Sequence, residues 1–358
     1  MAAKTTSAER QEMKSINSTA VTLALQDAMK AGGAPGGIAL IVDEVGRIHR
    51  FAMGVADIRT GRAPHVGDKS RIGSFTKVYV ATVILQLEAE GRLVIDDRVD
   101  KWLPGVVSTN APITVRQLLQ HTSGLPDFVA HRSMALSDLG AEYTPSKLLA
   151  LMKNDSPHFS PGAAWRYSNT NYLLAGMLIK KITGNDWHRE VQLRILEPLG
   201  LSNTSTPGTM TTIPGPHLRG YAASGSKSRQ LIDVTTLSPT MADSAGEMIS
   251  NPHDTSRFLR ALLGGRLLPS KQLTEMKDAV DAPELRGGYG LGLMRTDLSC
   301  GISVFGHGGL IHGYNTWGAS TGSGGRVLAA SVNTMIQPQA ASTDAFVKLM
   351  DAAFCQLK

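Results

Sequence analysis

The chain has 358 residues, 42% apolar and 18% charged, a globular composition that excludes a disordered or fibrous protein and supplies enough apolar material for a substantial core. Lys and Arg number 36 against 30 Asp and Glu, a net charge of +6, but the basic residues are scattered without interleaved aromatics and do not point to nucleic acid. Two cysteines, Cys300 and Cys355, are too few for a multi-cysteine zinc site or a disulfide-rich scaffold, and on arithmetic alone they read as two unrelated buried thiols.

The opening, MAAKTTSAERQEMK, has no apolar h-region, so as written it shows no export signal. A protein that stays inside the cell and a mature exported form both remain open. A first helix is expected from Ser15 to Lys30, where Val21, Leu25, Ala28 and Met29 recur at helical spacing and Gly32-Gly33 supplies a stop. The period then changes. Gly37 to Val42 and Ile48 to Val55 read as two strands joined by a turn at Glu44-Val45-Gly46.

From Ser74 to Gly200 the pattern is helical: Val78 to Glu90, Val115 to Gln120, Ser146 to Lys153, Asn171 to Ile182 and His188 to Glu197, with Pro and Gly between them. The oiliest stretch, Val78 to Leu87, is far short of the ~18 apolar residues of a membrane span. Ser202 to Pro239 is loop-rich, and Asn251 to Gly264 is another helix. Strands return at Leu291 to Arg295, Ile302 to Phe305, Tyr314 to Ala319 and Val327 to Asn333, before a last helix from Asp344 to Phe354. The expected architecture is therefore one α/β layer from both ends of the chain, residues 1–73 and 237–358, with a mostly helical region, 74–236, inserted between them.

Ser74-Phe75-Thr76-Lys77 places a serine and a lysine on one face of a helix, since i and i+3 are neighbours there. A lysine of lowered pKa can take the hydroxyl proton, and the helix N-terminus favours the developing anion. The spacing alone is weak, because Ser224-Gly225-Ser226-Lys227 also has it. Two further elements add to it. Tyr167-Ser168-Asn169 stands in a loop before a helix, and His307-Gly308-Gly309 follows a strand with small residues that would let a substrate lie along its edge.

In this order the three motifs resemble the serine β-lactamase-like family, in the branch of class C β-lactamases and the Streptomyces D-alanyl-D-alanine carboxypeptidase. Gln120-His121-Thr122-Ser123-Gly124-Leu125-Pro126-Asp127 and Gly290-Leu291-Gly292-Leu293 are also similar to that branch. The resemblance covers nearly the whole chain from Val21 to Cys355 and implies an antiparallel sheet flanked by terminal helices. It implies Ser74 as the acylated nucleophile, Lys77 as its activator, Tyr167 as proton relay and His307 as the residue that orients Tyr167 electrostatically. Asn169 would hold a substrate amide, and the main-chain amides of Ser74 and Leu310 would receive the oxyanion. The cysteines fall where the carboxypeptidase has its disulfide, so the resemblance implies a Cys300–Cys355 bridge and an oxidising compartment or exported ancestor.

The pocket departs from that branch. The carboxypeptidase holds the substrate's terminal carboxylate with an arginine and two hydroxyl residues, and the corresponding positions here are Met294, Gly308 and Leu310. Arg295 is one residue away and belongs to the other face of its strand. Met241 stands for a tryptophan and His312 for a glutamine. Gly309 keeps the third motif's backbone. The expectation is acyl-enzyme chemistry on an ester, amide or thioester without a terminal carboxylate, with a small molecule or short peptide as substrate and no cofactor or metal. Carboxypeptidase or β-lactamase action, a peptide-cyclising transacylase and a silent binding module are the alternatives. Two rivals are weaker. Gly318-Ala319-Ser320-Thr321-Gly322 spells a nucleophile elbow but leads toward a strand and reads as a hairpin, and His307, His312 and Asp127 lack the spacing of a metal motif.

Overall fold

The computed structural model describes residues 16–106, 112–131, 136–224, 230–337 and 339–355. The first helix, α1 (Ser18–Gly32), starts where the Asn17 side chain accepts the Ala20 amide at 3.0 Å, and ends at Gly33, whose left-handed backbone closes the last turn. Val21, Ala24, Leu25 and Ala28 form its buried stripe. Two strands follow, β1 (Gly36–Val42) and β2 (Ile48–Gly54). The chain returns to their sheet only near its end, through β3 (Val280–Ala282), β4 (Gly287–Tyr289), β5 (Met294–Asp297), β6 (Ser303–Ile311), β7 (Tyr314–Thr321) and β8 (Val327–Val332).

The sheet order is β2-β1-β8-β7-β6-β5-β4-β3, with every neighbouring pair antiparallel. β1 and β8 are buried along their whole length because helices cover both faces of the sheet, which is why they read as unbroken apolar runs. Ser320 lies in β7 and its hydroxyl donates to the Thr321 and Arg326 carbonyls, so the Gly-x-Ser-x-Gly segment is a hairpin and no elbow.

Between the two parts of the sheet come α2 (Thr76–Ala89), α3 (Asn169–Thr183) and α4 (Pro252–Leu263), and α5 (Gln339–Phe354) closes the chain. α1 and α5 share one core with the sheet, in which Val21, Leu25, Ala39, Ala330, Phe346 and Met350 meet. α4 lies on the opposite face, against β1, β7 and β8. Its Phe258 ring stacks on Tyr79 of α2 at 3.8 Å, which joins the sheet layer to the helical region. α2 is buried nearly all round, as its even apolar sequence requires. Leu218, Val234 and Leu237, in the loop-rich stretch after the helices, share a core with Ile38, Ile311 and Tyr314 of the sheet. Leu218, Val234 and Leu237 therefore pack on the sheet layer.

Cys300, in the turn between β5 and β6, is bridged to Cys355 just past α5, with Cα atoms 5.7 Å apart. The bridge implied by the resemblance is thus present and fastens the last helix to the sheet. No helix among the described residues is long and apolar enough to cross a membrane.

Candidate active site

Ser74 sits in a turn of 3-10 helix, Gly73–Phe75, that runs directly into α2. Gly73 has φ +50°, and a Cβ there would lie 2.8 Å from the Leu310 nitrogen, so only glycine lets this turn approach β6. The Thr76 hydroxyl donates to the Gly73 carbonyl at 2.8 Å and accepts the Met248 amide at 3.1 Å, which fixes the turn against the segment before α4.

Lys77 is fully buried beneath the serine. Its Nζ donates to Ser74 Oγ at 3.0 Å, to Asn169 Oδ1 at 2.8 Å and to the Ala245 carbonyl at 2.6 Å. Burial pushes its pKa down to about 7, against an upward pull from the Asp127 carboxylate. The geometry also orients the neutral amine. The Asn169 and Ala245 oxygens can only accept, so they retain the two N–H groups and the lone pair is left facing the Ser74 hydroxyl.

Tyr167 and Asn169 are placed by the start of α3. The Asn169 amide is fixed in one orientation, because its oxygen accepts from Lys77 and its Nδ2 donates to Asp127 Oδ2 at 2.9 Å. The Tyr167 phenol lies beside Ser74, and its ring is 4.9 Å from Lys77 Nζ. Burial raises the phenol's pKa above its ordinary value despite the downward pull of the Ser74 hydroxyl, so the phenol keeps its proton at neutral pH.

His307 lies inside β6, which runs on through the His-Gly-Gly motif to Ile311 instead of stopping before it. Its Nδ1 contacts the Gly308 carbonyl, an acceptor, so Nδ1 carries the proton and Nε2 accepts the Tyr289 hydroxyl at 2.9 Å. Burial, then the charge of Lys77, pushes its pKa down to about 3. Its ring centroid is 6.3 Å from that of Tyr167, so it faces the phenol as a neutral dipole and not as a cation. The two glycines that follow are required by packing. A Cβ at Gly308 would lie 2.6 Å from the Trp317 side chain, and one at Gly309 only 1.8 Å from the Ile72 carbonyl oxygen.

A cavity of about 250 Å³ opens over these groups. It is lined by Ser74, Tyr167, Asn169, His307, Gly308, Gly309 and Leu310, and by Met241, Met294 and His312, so every site residue expected from the sequence except the buried Lys77 faces it. Arg295 is absent from the lining and pairs with Asp297 at 3.2 Å. Among the described residues no group of three or more His, Cys, Asp or Glu is placed to hold a metal ion. The second serine-lysine pair, Ser224 to Lys227, runs into residues outside those described. Three contributors were not assigned to this chemistry from the sequence. Ala245 acts through its carbonyl and leaves no side-chain signal, Asp127 reaches Asn169 from a different loop, and Tyr289 stands next to the Gly-Leu-Gly-Leu segment without a motif of its own.

The Beta-lactamase family profile matches residues 21–351, and the chain belongs to that family of serine hydrolases. The D-stereospecific amidohydrolase from Streptomyces sp. is 41% identical in sequence with a TM-score of 0.84, and the match covers 95% of this chain and 99% of that one. The D-amino acid amidase from Ochrobactrum anthropi SV3, in complex with L-phenylalanine amide, is 27% identical with a TM-score of 0.81, over 93% of this chain and 97% of that one. Penicillin-binding protein 4 of Amycolatopsis lactamdurans is 28% identical over 263 residues, 68% of this chain and 63% of the relative. Penicillin-binding protein 4* of Bacillus subtilis (strain 168) is 31% identical over 159 residues, which is 44% of this chain and 35% of the relative. The chain thus spans from about a third to under two thirds of the length of these curated relatives.

Proposed function

We propose that this chain hydrolyses aminoacyl amides and esters, of D configuration, through an acyl-enzyme on Ser74, and that it needs no terminal carboxylate on the substrate. One observation carries the reading: the cavity joins the Lys77–Ser74–Tyr167 contacts to a wall of Met241, Met294 and Leu310, with the Asp127 carboxylate at its edge. Such a wall suits a neutral leaving group, and the carboxylate suits a substrate's free α-ammonium. The amidohydrolase and amidase to which the chain is similar act, by their names, on D-configured amides or amino acid amides.

In this reading the Lys77 lone pair takes the Ser74 proton as Oγ bonds to the acyl carbon. The Ser74 and Leu310 amides receive the oxyanion, a contribution of ~3 kcal/mol per donor. The Tyr167 phenol gives its proton to the departing nitrogen and is reprotonated by the Lys77 ammonium, so the amine leaves neutral and Lys77 returns to its amine form. Water then repeats the sequence on the acyl-enzyme. His307 and Asn169 keep the relay in place, and Asn169 also offers its amide to the substrate.

The test is acylation followed by mass spectrometry with D- and L-phenylalanine amide, a p-nitrophenyl ester and a β-lactam. Labelling at Ser74 with release of D-phenylalanine is the expected result, and Ser74→Ala should abolish it with the fold unchanged. Label on another residue, or turnover by the alanine variant, would overturn the reading. The names of the curated relatives favour one further outcome, slow acylation of Ser74 by penicillin.

A further inference from the structure

His121 is fully buried beneath the site and has no part in the proton transfers described above. Its backbone is left-handed, φ 63°, a conformation that is strained for a residue with a Cβ and persists where the surroundings hold it. The strain coincides with a grip on one neighbour. The His121 carbonyl accepts the Arg166 amide at 3.0 Å, and its Nδ1 accepts the Ser168 amide at 3.2 Å. The residues on both sides of Tyr167 are thus fastened to His121. Its ring also lies beside the Tyr167 ring, with centroids 4.3 Å apart and planes inclined at 33°.

The imidazole is itself fixed. A backbone N–H only donates, so Nδ1 carries the lone pair and the proton sits on Nε2. Asn171 Nδ2 reaches the same nitrogen at 3.0 Å, while the Asn171 oxygen accepts the Ser123 hydroxyl at 2.6 Å. Tyr289 closes the other side edge-on, at 4.7 Å between centroids. Burial and the nearby Lys77 and His307 hold the ring well below its ordinary pKa, so it stays a neutral acceptor.

We propose that His121 is a positioning residue for Tyr167: its bonds to the amides on either side, with the ring contact, hold the phenol against Ser74. The proposal rests on the relay role given to Tyr167 above. It makes a prediction that a general structural role does not. The phenol protonates the leaving nitrogen, whereas p-nitrophenolate departs as a stable anion and needs little help.

His121→Asn retains tolerance of the left-handed backbone and an oxygen for the Ser168 amide, but it has no ring. For D-phenylalanine amide kcat/KM should fall at least about tenfold, while kcat/KM for the D-phenylalanine p-nitrophenyl ester, which reads acylation alone, stays within about threefold. Both substrates are measured on one preparation, so any loss of folded protein cancels in their ratio. His121→Gln, which also lacks the ring, serves if the first variant does not fold. In a Tyr167→Phe background the same substitution should leave the ratio unchanged, because the residue it positions is already disabled. Equal losses on both substrates, or a full further loss on top of Tyr167→Phe, would overturn the proposal. If the wild type does not turn over D-phenylalanine amide, the substrate reading fails instead, and the ratio is read on any amide and ester pair that labels Ser74.

Discussion

The Ala245 carbonyl accepts a hydrogen bond from Lys77 Nζ at 2.6 Å, shorter than the lysine's bonds to Ser74 and Asn169. This contact comes from the loop before α4, 168 positions from the lysine. With Asn169 it occupies both N–H groups of the neutral amine and turns the lone pair toward the Ser74 hydroxyl, the nucleophile of the proposed reaction. A base in that position acts only when deprotonated.

The first prediction is therefore a pH dependence with a defined sign. Lys77 has its pKa lowered to about 7, so it is an ammonium below that value and an amine above it. On a substrate without ionisable groups, such as an N-acetylated p-nitrophenyl ester, kcat/KM should rise through about pH 7 and then level off. Lys77→Arg stays charged and should lose the activity and the limb together. A profile that is flat between about pH 5.5 and about pH 8.5 would remove Lys77 from the role of base.

A second prediction concerns the bridge. Cys300 and Cys355 are 55 positions apart, and closing such a loop in the unfolded chain is worth about 4 kcal/mol by chain entropy. Cys300→Ser with Cys355→Ser should lower the thermal midpoint without changing kcat on a p-nitrophenyl ester, since the bridge ties α5 to the far end of the β5–β6 turn. Midpoints with and without reductant, and intact mass before and after reduction, check this. Equal midpoints would show that the bridge adds no stability.

Asp127 gives a third. Asp127→Asn can still accept the Asn169 amide through its oxygen, but it removes the charge beside the cavity. Substrates with a free α-amine should lose about tenfold in kcat/KM, while N-acetylated ones change little. Because Asp127 pulls the lysine's pKa upward, the limb assigned to Lys77 should move to lower pH in the variant. The two readouts separate recognition of the ammonium from tuning of the base. Equal losses on free and acetylated substrates would show that Asp127 does not bind the amine.

The parts of the site legible in the sequence are those whose spacing is set by one element. Ser74 and Lys77 are three apart at the start of α2, Tyr167 and Asn169 flank the start of α3, and His307 lies on one strand. What meets them from elsewhere was not legible. Ala245 contributes a carbonyl that any residue has, and His121 contributes a strained backbone that a sequence does not display. The same holds for the fold. β1, β7 and β8 show as apolar runs, but β3 and β4 have three residues each, and Gly287-Gly288 provides no side chains from which a period could be read. The glycines after His307 read as clearance for a substrate, whereas Trp317 and Ile72 occupy the space beside them.

That occupancy decides how the pocket can be re-engineered, and it sets the last prediction. Restoring a carboxylate anchor at Gly308 would drive a side chain into Trp317, which lies 2.6 Å from where the Cβ would be. Met294 is the usable position, since it is buried in β5 and faces the cavity directly. The wild type should handle acyl-D-Ala-D-Ala at least ~10²-fold less well in kcat/KM than its best amide or ester. The carboxylate would lose a charge-assisted contact of ~1.5–3 kcal/mol and would be desolvated without a partner. Met294→Arg should narrow that gap for the peptide and lower activity on neutral leaving groups, because an uncompensated guanidinium would then line the apolar wall. Paired kcat/KM values for the peptide and a p-nitrophenyl ester, on wild type and variant, provide the check. A wild type that releases D-Ala as fast as it cleaves its best ester would mean that another group in the cavity already holds the carboxylate.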